Sequence, residues 1–368
     1  MGLIFIPFYI FPSGGIQISD LFFFISILIF ITRKKSYIIF KELKYSSNLI
    51  YLRIFIFWTL IVNLTVFIFW FQTNTLLSSF YYLYDYTVMI LALAFYRLSG
   101  NSFLKIVYYS FFISIVLVFL AAILNLDYLF ADKYFFRRAV TFNNPNQLGY
   151  WALMAVVVIL IIRNVFILNK VKHYKIIFFL AIPLTLYLSI ISLSKASTIS
   201  ILVLFILNSI KNLKITIFIS LLCVISFSYF EIAEVDFISR IDNRLSNIGK
   251  ADDDNLEGRN YDRIWKYPEY LVFGAGEGTI EQRFERDNEI HSTFGTIIFS
   301  YGFIGTLTFF LFLFSLFRDN KYSFLLFLVP LILYSFTHMG LRSKTFWLIF
   351  TLIIIYNKNK KVIENDQN

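Results

Sequence analysis

The chain has 368 residues; 58% are hydrophobic, 20% aromatic and only 15% charged, and the formal net charge is +10. Soluble domains run about 45–50% apolar and about 25% charged, so this composition excludes an ordinary soluble fold. The basic excess does not point to nucleic acid, because lysine and arginine fall mostly between apolar runs, as flanks of spans.

Repeated apolar runs of roughly 17–25 residues are the mark of membrane-crossing helices. A β-barrel would instead show alternating segments of about ten residues, which the sequence lacks. The expected fold is all-α: a polytopic transmembrane bundle of about 11–12 spans, forming one integral membrane domain over 1–368. The single cysteine, Cys223, lies within an apolar run, so no intrachain disulfide is possible. The first runs read as retained spans rather than a cleavable signal peptide.

In chain order, Leu3–Phe11 is apolar but too short to cross alone, and Pro12-Ser13-Gly14-Gly15 breaks it. Leu21–Ile31 follows and ends at Arg33-Lys34-Lys35. The next expected spans are Leu49–Phe71, Leu76–Arg97, Phe103–Leu124, Gln147–Ile162, Ile176–Ser192, Ser197–Leu207 and Ile215–Phe230. A large polar loop, 231–290, interrupts them. Ser292–Phe317, Tyr322–Thr337 and Thr345–Tyr356 complete the set, and the tail Asn357–Asn368 is polar.

Orientation follows from lysine and arginine in short loops, which favour the cytoplasmic side. That places the large loop outside and the tail inside. Cations left in short outer segments are then the informative ones: Lys133, Arg137 and Arg138 before Asn143-Asn144-Pro145-Asn146, Lys195 in Ser194-Lys195-Ala196-Ser197, and Arg342 after His338. Their alternative role is snorkelling to lipid headgroups.

The large loop and the span after it carry most of the remaining chemistry. Arg259 and Arg263 are four apart; if 260–270 is helical, both guanidiniums share one face with Lys266 one turn on. Such a face suits an anion, since a guanidinium fork matches phosphate oxygens; the alternative is a solvated face paired with Glu257, Asp262 or Glu269. Gly274-Ala275-Gly276-Glu277-Gly278 has no βαβ context and reads as a tight turn, or as a backbone nest for an anion. Asp252-Asp253-Asp254-Asn255 lacks the offsets of an EF-hand and reads as a solvated acidic loop.

His291 stands where the loop re-enters the membrane. A helix N-terminus disfavours imidazolium, so a neutral ring there can take a proton as general base. Glu289 could orient it; the competing role is a helix cap. His173 falls in a connector and His338 at an outer helix end. Asp85 lies mid-span, flanked by Tyr84 and Tyr86, and an intramembrane acid is a functional candidate. No His, Asp and Cys cluster has metal spacing, so no metal is expected.

Taken together, Gly258-Arg259, Arg263-Ile264-Trp265, Phe273-Gly274-Ala275-Gly276, Glu289-Ile290-His291-Ser292 and Tyr301-Gly302-Phe303-Ile304-Gly305 resemble the Wzy-type O-antigen and capsule polymerases and the related O-antigen ligases. Arg138 through Asn143-Asn144-Pro145-Asn146 resembles their upstream asparagine-proline-asparagine segment. Lys195 departs from the family, which often has serine-arginine there. The resemblance implies a bacterial inner-membrane glycosyltransferase that needs no metal or other cofactor. Its donor would be an oligosaccharide on undecaprenyl diphosphate in the membrane lipid, and its neighbours a chain-length regulator and a flippase. On this view His291 is catalytic, Glu289 orients it, and Arg137, Arg138, Lys195, Arg259, Arg263 and Arg342 bind diphosphate or glycan. Glu-Ile-His-Ser looks closer to the polymerases than to the ligases. A non-catalytic lipid-linked sugar flippase is the rival of a different class; internal repeats, expected of many transporters, are not seen.

Overall fold

The computed structural model describes residues 1–11, 16–32, 49–71, 73–126, 137–171, 175–209, 258–277, 284, 289–318 and 327–367. Cys223, the expected span Ile215–Phe230, Asp252–Asp254, His173, Lys133 and most of the large loop lie outside these residues.

Every regular element among the described residues is helical. In chain order they are α1 (Ile18–Ile31), α2 (Ile50–Trp70), α3 (Thr73–Ser99), α4 (Asn101–Ile123), α5 (Pro145–Leu168), α6 (Lys175–Ile191) and α7 (Lys195–Ser209). The four-residue α8 (Arg263–Lys266) and a 3-10 turn (Pro268–Leu271) lead to α9 (Thr293–Phe317), α10 (Val329–Ser335) and α11 (Lys344–Gln367). Five of them, α2, α3, α4, α5 and α9, are long and apolar enough to cross a membrane.

The N-terminal run does not form a twelfth span. Residues 2–7 form turns, and the segment is tied to the bundle by backbone: Ser114 Oγ donates to Ile4 O at 2.8 Å, and Tyr9 N to Thr141 O at 3.0 Å. At 1.5 Å per residue, the 14 residues of α1 cover about 21 Å, short of a hydrocarbon core of about 30 Å. At the other end α11 continues through the segment expected to be a polar tail, as far as Gln367. Asn359 Nδ2 reaches Tyr96 Oη at 2.8 Å, and Lys360 and Glu364 pair at 3.6 Å one turn apart, which holds the extension helical.

The sequence of α5, apolar on all sides, fits a buried central helix. Its span is 83% buried, against 39% for α2. It packs on α4, α6, α7 and α11, while α2 and α3 pack on α9 and α11. Asn144 caps α5, its side chain accepting from Gln147 N at 2.9 Å, and Pro145 opens the first turn, where no N–H is needed. One end of the bundle collects the start of α5, the α6–α7 turn, the start of α9 and the α10–α11 connector: Ser197 Oγ donates to Gly149 O, Tyr334 Oη to Asn146 O and Thr293 N to His338 O.

At that end the chain does something a plain bundle does not. Residue Gly302 breaks α9 with φ +62, nine residues in, or roughly 13 Å along the helix. The segment after the 3-10 turn dips into the break: Ala275 N donates to Phe299 O and Gly276 N to Ser300 O, both at 2.9 Å, and Phe303 N to Val272 O at 3.2 Å. Trp58 Nε1 satisfies the freed Tyr301 carbonyl at 2.8 Å. Irregular backbone at membrane depth is tolerated only where protein satisfies it in this way. The approach demands glycine on both sides, since a Cβ at Gly274 would lie 2.3 Å from Ser300 O and one at Gly302 would lie 2.5 Å from Val272 O.

Candidate functional site

A cavity of about 340 Å³ opens at this end. Small-molecule sites run about 300–1,000 Å³, so it sits at the lower limit of that range. Four parts of the fold line it: Arg137, Asn144, Asn146, Gln147 and Tyr150 before and at the start of α5, Leu193–Ala196 entering α7, Gly258, Arg259 and His291 before α9, and Tyr334 of α10 with Thr337–Met339 after it. Among the described residues the lining holds Arg137, Lys195 and Arg259, two histidines, and no carboxylate.

Each cation is held by the local fold. Arg137 Nε donates to Ser192 O at 3.1 Å and its Nη2 to Asn146 Oδ1, so the asparagine-proline-asparagine segment divides its work between capping α5 and setting a guanidinium. Lys195 is the first residue of α7. Ser197 anchors that turn, donating to Gly149 O at 2.5 Å. Arg259 donates through Nη1 to Thr337 O, and its own carbonyl accepts from His291 N at 3.3 Å, which fixes the arginine and the histidine relative to each other.

His291 is exposed and is not the cap of α9. Ser292 is, accepting from Gly295 N at 3.0 Å. His338, treated from the sequence as a helix-end residue, also lines the cavity. Its ring stacks on Tyr334 at 4.5 Å, and Tyr334 stacks on Tyr150 at 4.1 Å. Burial first, then the charges of Arg259, His291 and Arg137, hold the His338 imidazole down to about 3.

The other expected site residues go elsewhere. The residues around Arg259 do not continue the helix: Asn260 has φ +59, and α8 begins only at Arg263. Arg259 and Arg263 therefore do not share a helical face. Arg263 is buried with its guanidinium 5.2 Å from the Phe284 ring, beside a cluster of Ala275, Phe284, Ile290 and Phe299. Lys266 pairs with Asp262 at 3.0 Å. Arg138, whose N–H donates to Ile191 O at 3.2 Å, does not line the cavity.

Arg342 belongs to a second constellation. Its Nε donates to Glu277 Oε1 at 2.7 Å and its Nη2 to Glu289 Oε1 at 2.8 Å. Glu289, expected to orient His291, is thus held by Arg342. Glu277 is buried; it also accepts from Tyr82 Oη and, at 2.6 Å, from Tyr301 Oη, while its N–H donates to Asn63 Oδ1 at 3.1 Å. The glycine-rich turn is no anion nest, because the N–H groups of residues 274–277 all donate to protein acceptors. It is instead the route by which Glu277 enters the bundle.

Asp85 lies deeper and is buried, its Oδ2 without a hydrogen-bond partner. Tyr84 does not serve it; the Tyr84 hydroxyl donates to Asp20 Oδ1 at 2.7 Å, and Lys344 Nζ bonds the same oxygen. Among the described residues no group of His, Cys, Asp and Glu is arranged to hold a metal ion. No protein-family model matches the chain, and a search of curated proteins finds no match.

Proposed function

We propose that the chain is a polysaccharide polymerase. It joins oligosaccharide repeat units carried on undecaprenyl diphosphate, at the outer face of a bacterial cytoplasmic membrane. The observation that carries this reading is the cavity itself, where Arg137, Lys195 and Arg259 gather around His291. Two guanidiniums and an ammonium set around one space favour an anionic ligand, and a lipid diphosphate is one.

In the reaction, the hydroxyl oxygen of an acceptor sugar bonds to the anomeric carbon of the donor. The bond from that carbon to the diphosphate oxygen breaks, and its electron pair leaves on the lipid diphosphate. The hydroxyl proton passes to His291. Fixed cations stabilise the charge that develops on the leaving group without reorganising, and a positioned base adds about 10²–10⁴ in rate.

The test is polymer formation from purified undecaprenyl-diphosphate-linked repeat units at equal protein. Arg259→Ala is expected to reduce turnover about 10²–10³-fold, on the scale of losing one transition-state donor. His291→Gln hydrogen-bonds but takes no proton at neutral pH; it should lose most turnover, together with the fall in rate that the wild type shows as His291 protonates. Single units transferred once to a lipid acceptor would make the protein a ligase, and unchanged turnover in both variants would end the proposal.

A further inference from the structure

The cavity presents a hydrogen-bond acceptor whose polarity the fold fixes, and it is His338. The Thr337 hydroxyl donates to Tyr334 O at 2.9 Å and lies 2.9 Å from His338 Nδ1. A hydroxyl has one proton to give. With that proton spent on the carbonyl, Thr337 Oγ1 must accept from Nδ1–H. The neutral ring then carries its lone pair on Nε2, the nitrogen left to meet the cavity's contents. Stacking on Tyr334 holds the ring plane, and Thr293 N donates to the His338 carbonyl at 3.1 Å, so the residue is anchored at ring and backbone.

The surroundings make this atom unusual. The side-chain amide oxygens of the lining are already engaged. Asn144 Oδ1 accepts from Gln147 N at 2.9 Å, Asn146 Oδ1 from Arg137, and Gln147 Oε1 from Asn143 N at 3.2 Å. The cationic groups can only donate. A ligand that carries phosphate oxygens alone meets its donors but leaves Nε2 unsatisfied. A ligand that carries hydroxyls beside its phosphates satisfies both.

We propose that His338 Nε2 accepts a hydrogen bond from a sugar hydroxyl next to the anion, and so makes the cavity prefer glycosylated diphosphates over bare ones. This rests on the diphosphate reading of the cavity, and it gives His338 a binding role distinct from proton transfer at His291. The low basicity of the His338 ring suits that division, because it stays neutral and accepts without taking the proton.

The experiment compares the binding of two probes to the detergent-solubilised full chain: farnesyl diphosphate, and farnesyl diphosphate carrying one N-acetylglucosamine. In His338→Asn the amide can still donate to Thr337 but falls short of the Nε2 position; His338→Gln places an amide oxygen near it. His338→Asn should bind farnesyl diphosphate as the wild type does and lose about five- to tenfold on the glycosylated probe, the weight of one net hydrogen bond. His338→Gln should recover most of that loss. Equal weakening of both probes in His338→Asn, or none on the glycosylated one, overturns the inference while leaving the anion site standing. A wild-type chain that binds neither probe, or binds both no better than Arg259→Ala does, overturns the anion reading and this inference with it.

Discussion

Two arginine-bearing regions sit close together at one end of this bundle, and they solve opposite problems. Around Arg342 the charges balance locally: one guanidinium meets two carboxylates, and two phenols complete Glu277. Around Arg259 the described residues place three cations on one cavity and no carboxylate in its lining. The first arrangement closes on itself, whereas the second faces a cavity. From the sequence, Arg342 is marked by its place in a short segment on the expected outer side and Arg259 by its spacing from Arg263; the structure parts them by their neighbours, two carboxylates at Arg342 and a cavity at Arg259.

The strongest way to break this comparison is at Arg342. Arg342→Ala leaves Glu277 buried without its counter-charge, and breaking a buried pair from one side costs about 3–5 kcal/mol. The expected outcome is loss of protein from the membrane, or a large fall in melting temperature in detergent. Arg342→Leu with Glu277→Gln removes the charge from both sides and should recover much of that loss. A stable, inactive Arg342→Ala would move this arginine to the ligand side.

Five of the expected spans were legible, because hydrocarbon imposes a length and a composition that any window can read. Of the cavity's cations, Arg137 and Lys195 were legible as cations left in short segments on the expected outer side, and Arg259 by its spacing from Arg263, though Arg138, Arg263 and Arg342 were expected with them and do not line the cavity. The pairing of Arg342 was not, because its partners Glu277 and Glu289 are far away in sequence and one enters through a break in α9. Gly302 belongs to a motif the sequence shows, but the reason for its glycine appears only once Val272 and Gly274 are seen against it. His338 was passed over because a lone histidine at a helix end carries no pattern; the stack on Tyr334 that places it is a tertiary contact.

A smaller effect should appear on acidification, and on the cavity side. His338 is held near 3 in the folded chain by burial and by Arg259, His291 and Arg137, against about 6.5 when unfolded. Between those values the unfolded chain binds a proton that the folded chain does not, so stability falls as pH drops from about 6.5 towards 3. His338→Asn has no such group and should show a shallower fall in melting temperature over that window. Parallel curves for the two proteins would mean that His338 titrates alike in both states, and that the cavity's cations do not act on it.

The smallest effect, and the one that most sharpens the comparison, is expected at Arg263. By sequence it is the twin of Arg259, four residues on and in the same basic stretch. The fold separates them, because left-handed Asn260 ends the path of one helix before α8 begins, and Arg263 turns to the aromatic cluster while Arg259 faces the cavity. A guanidinium over a ring contributes about 0.5–2 kcal/mol, more when desolvated. Arg263→Met keeps the length and apolar packing of the side chain and removes the charge. It should lower the melting temperature modestly while turnover per folded molecule stays within about twofold, since the expected cost lies in the cation–π contact and not in a ligand. Arg259→Lys should do the reverse, with unchanged melting and reduced turnover, because an ammonium keeps the charge but not the fork. If Arg263→Met abolished turnover at normal stability, the anion would have to reach the aromatic cluster, and the division between a ligand arginine and a packing arginine would fail.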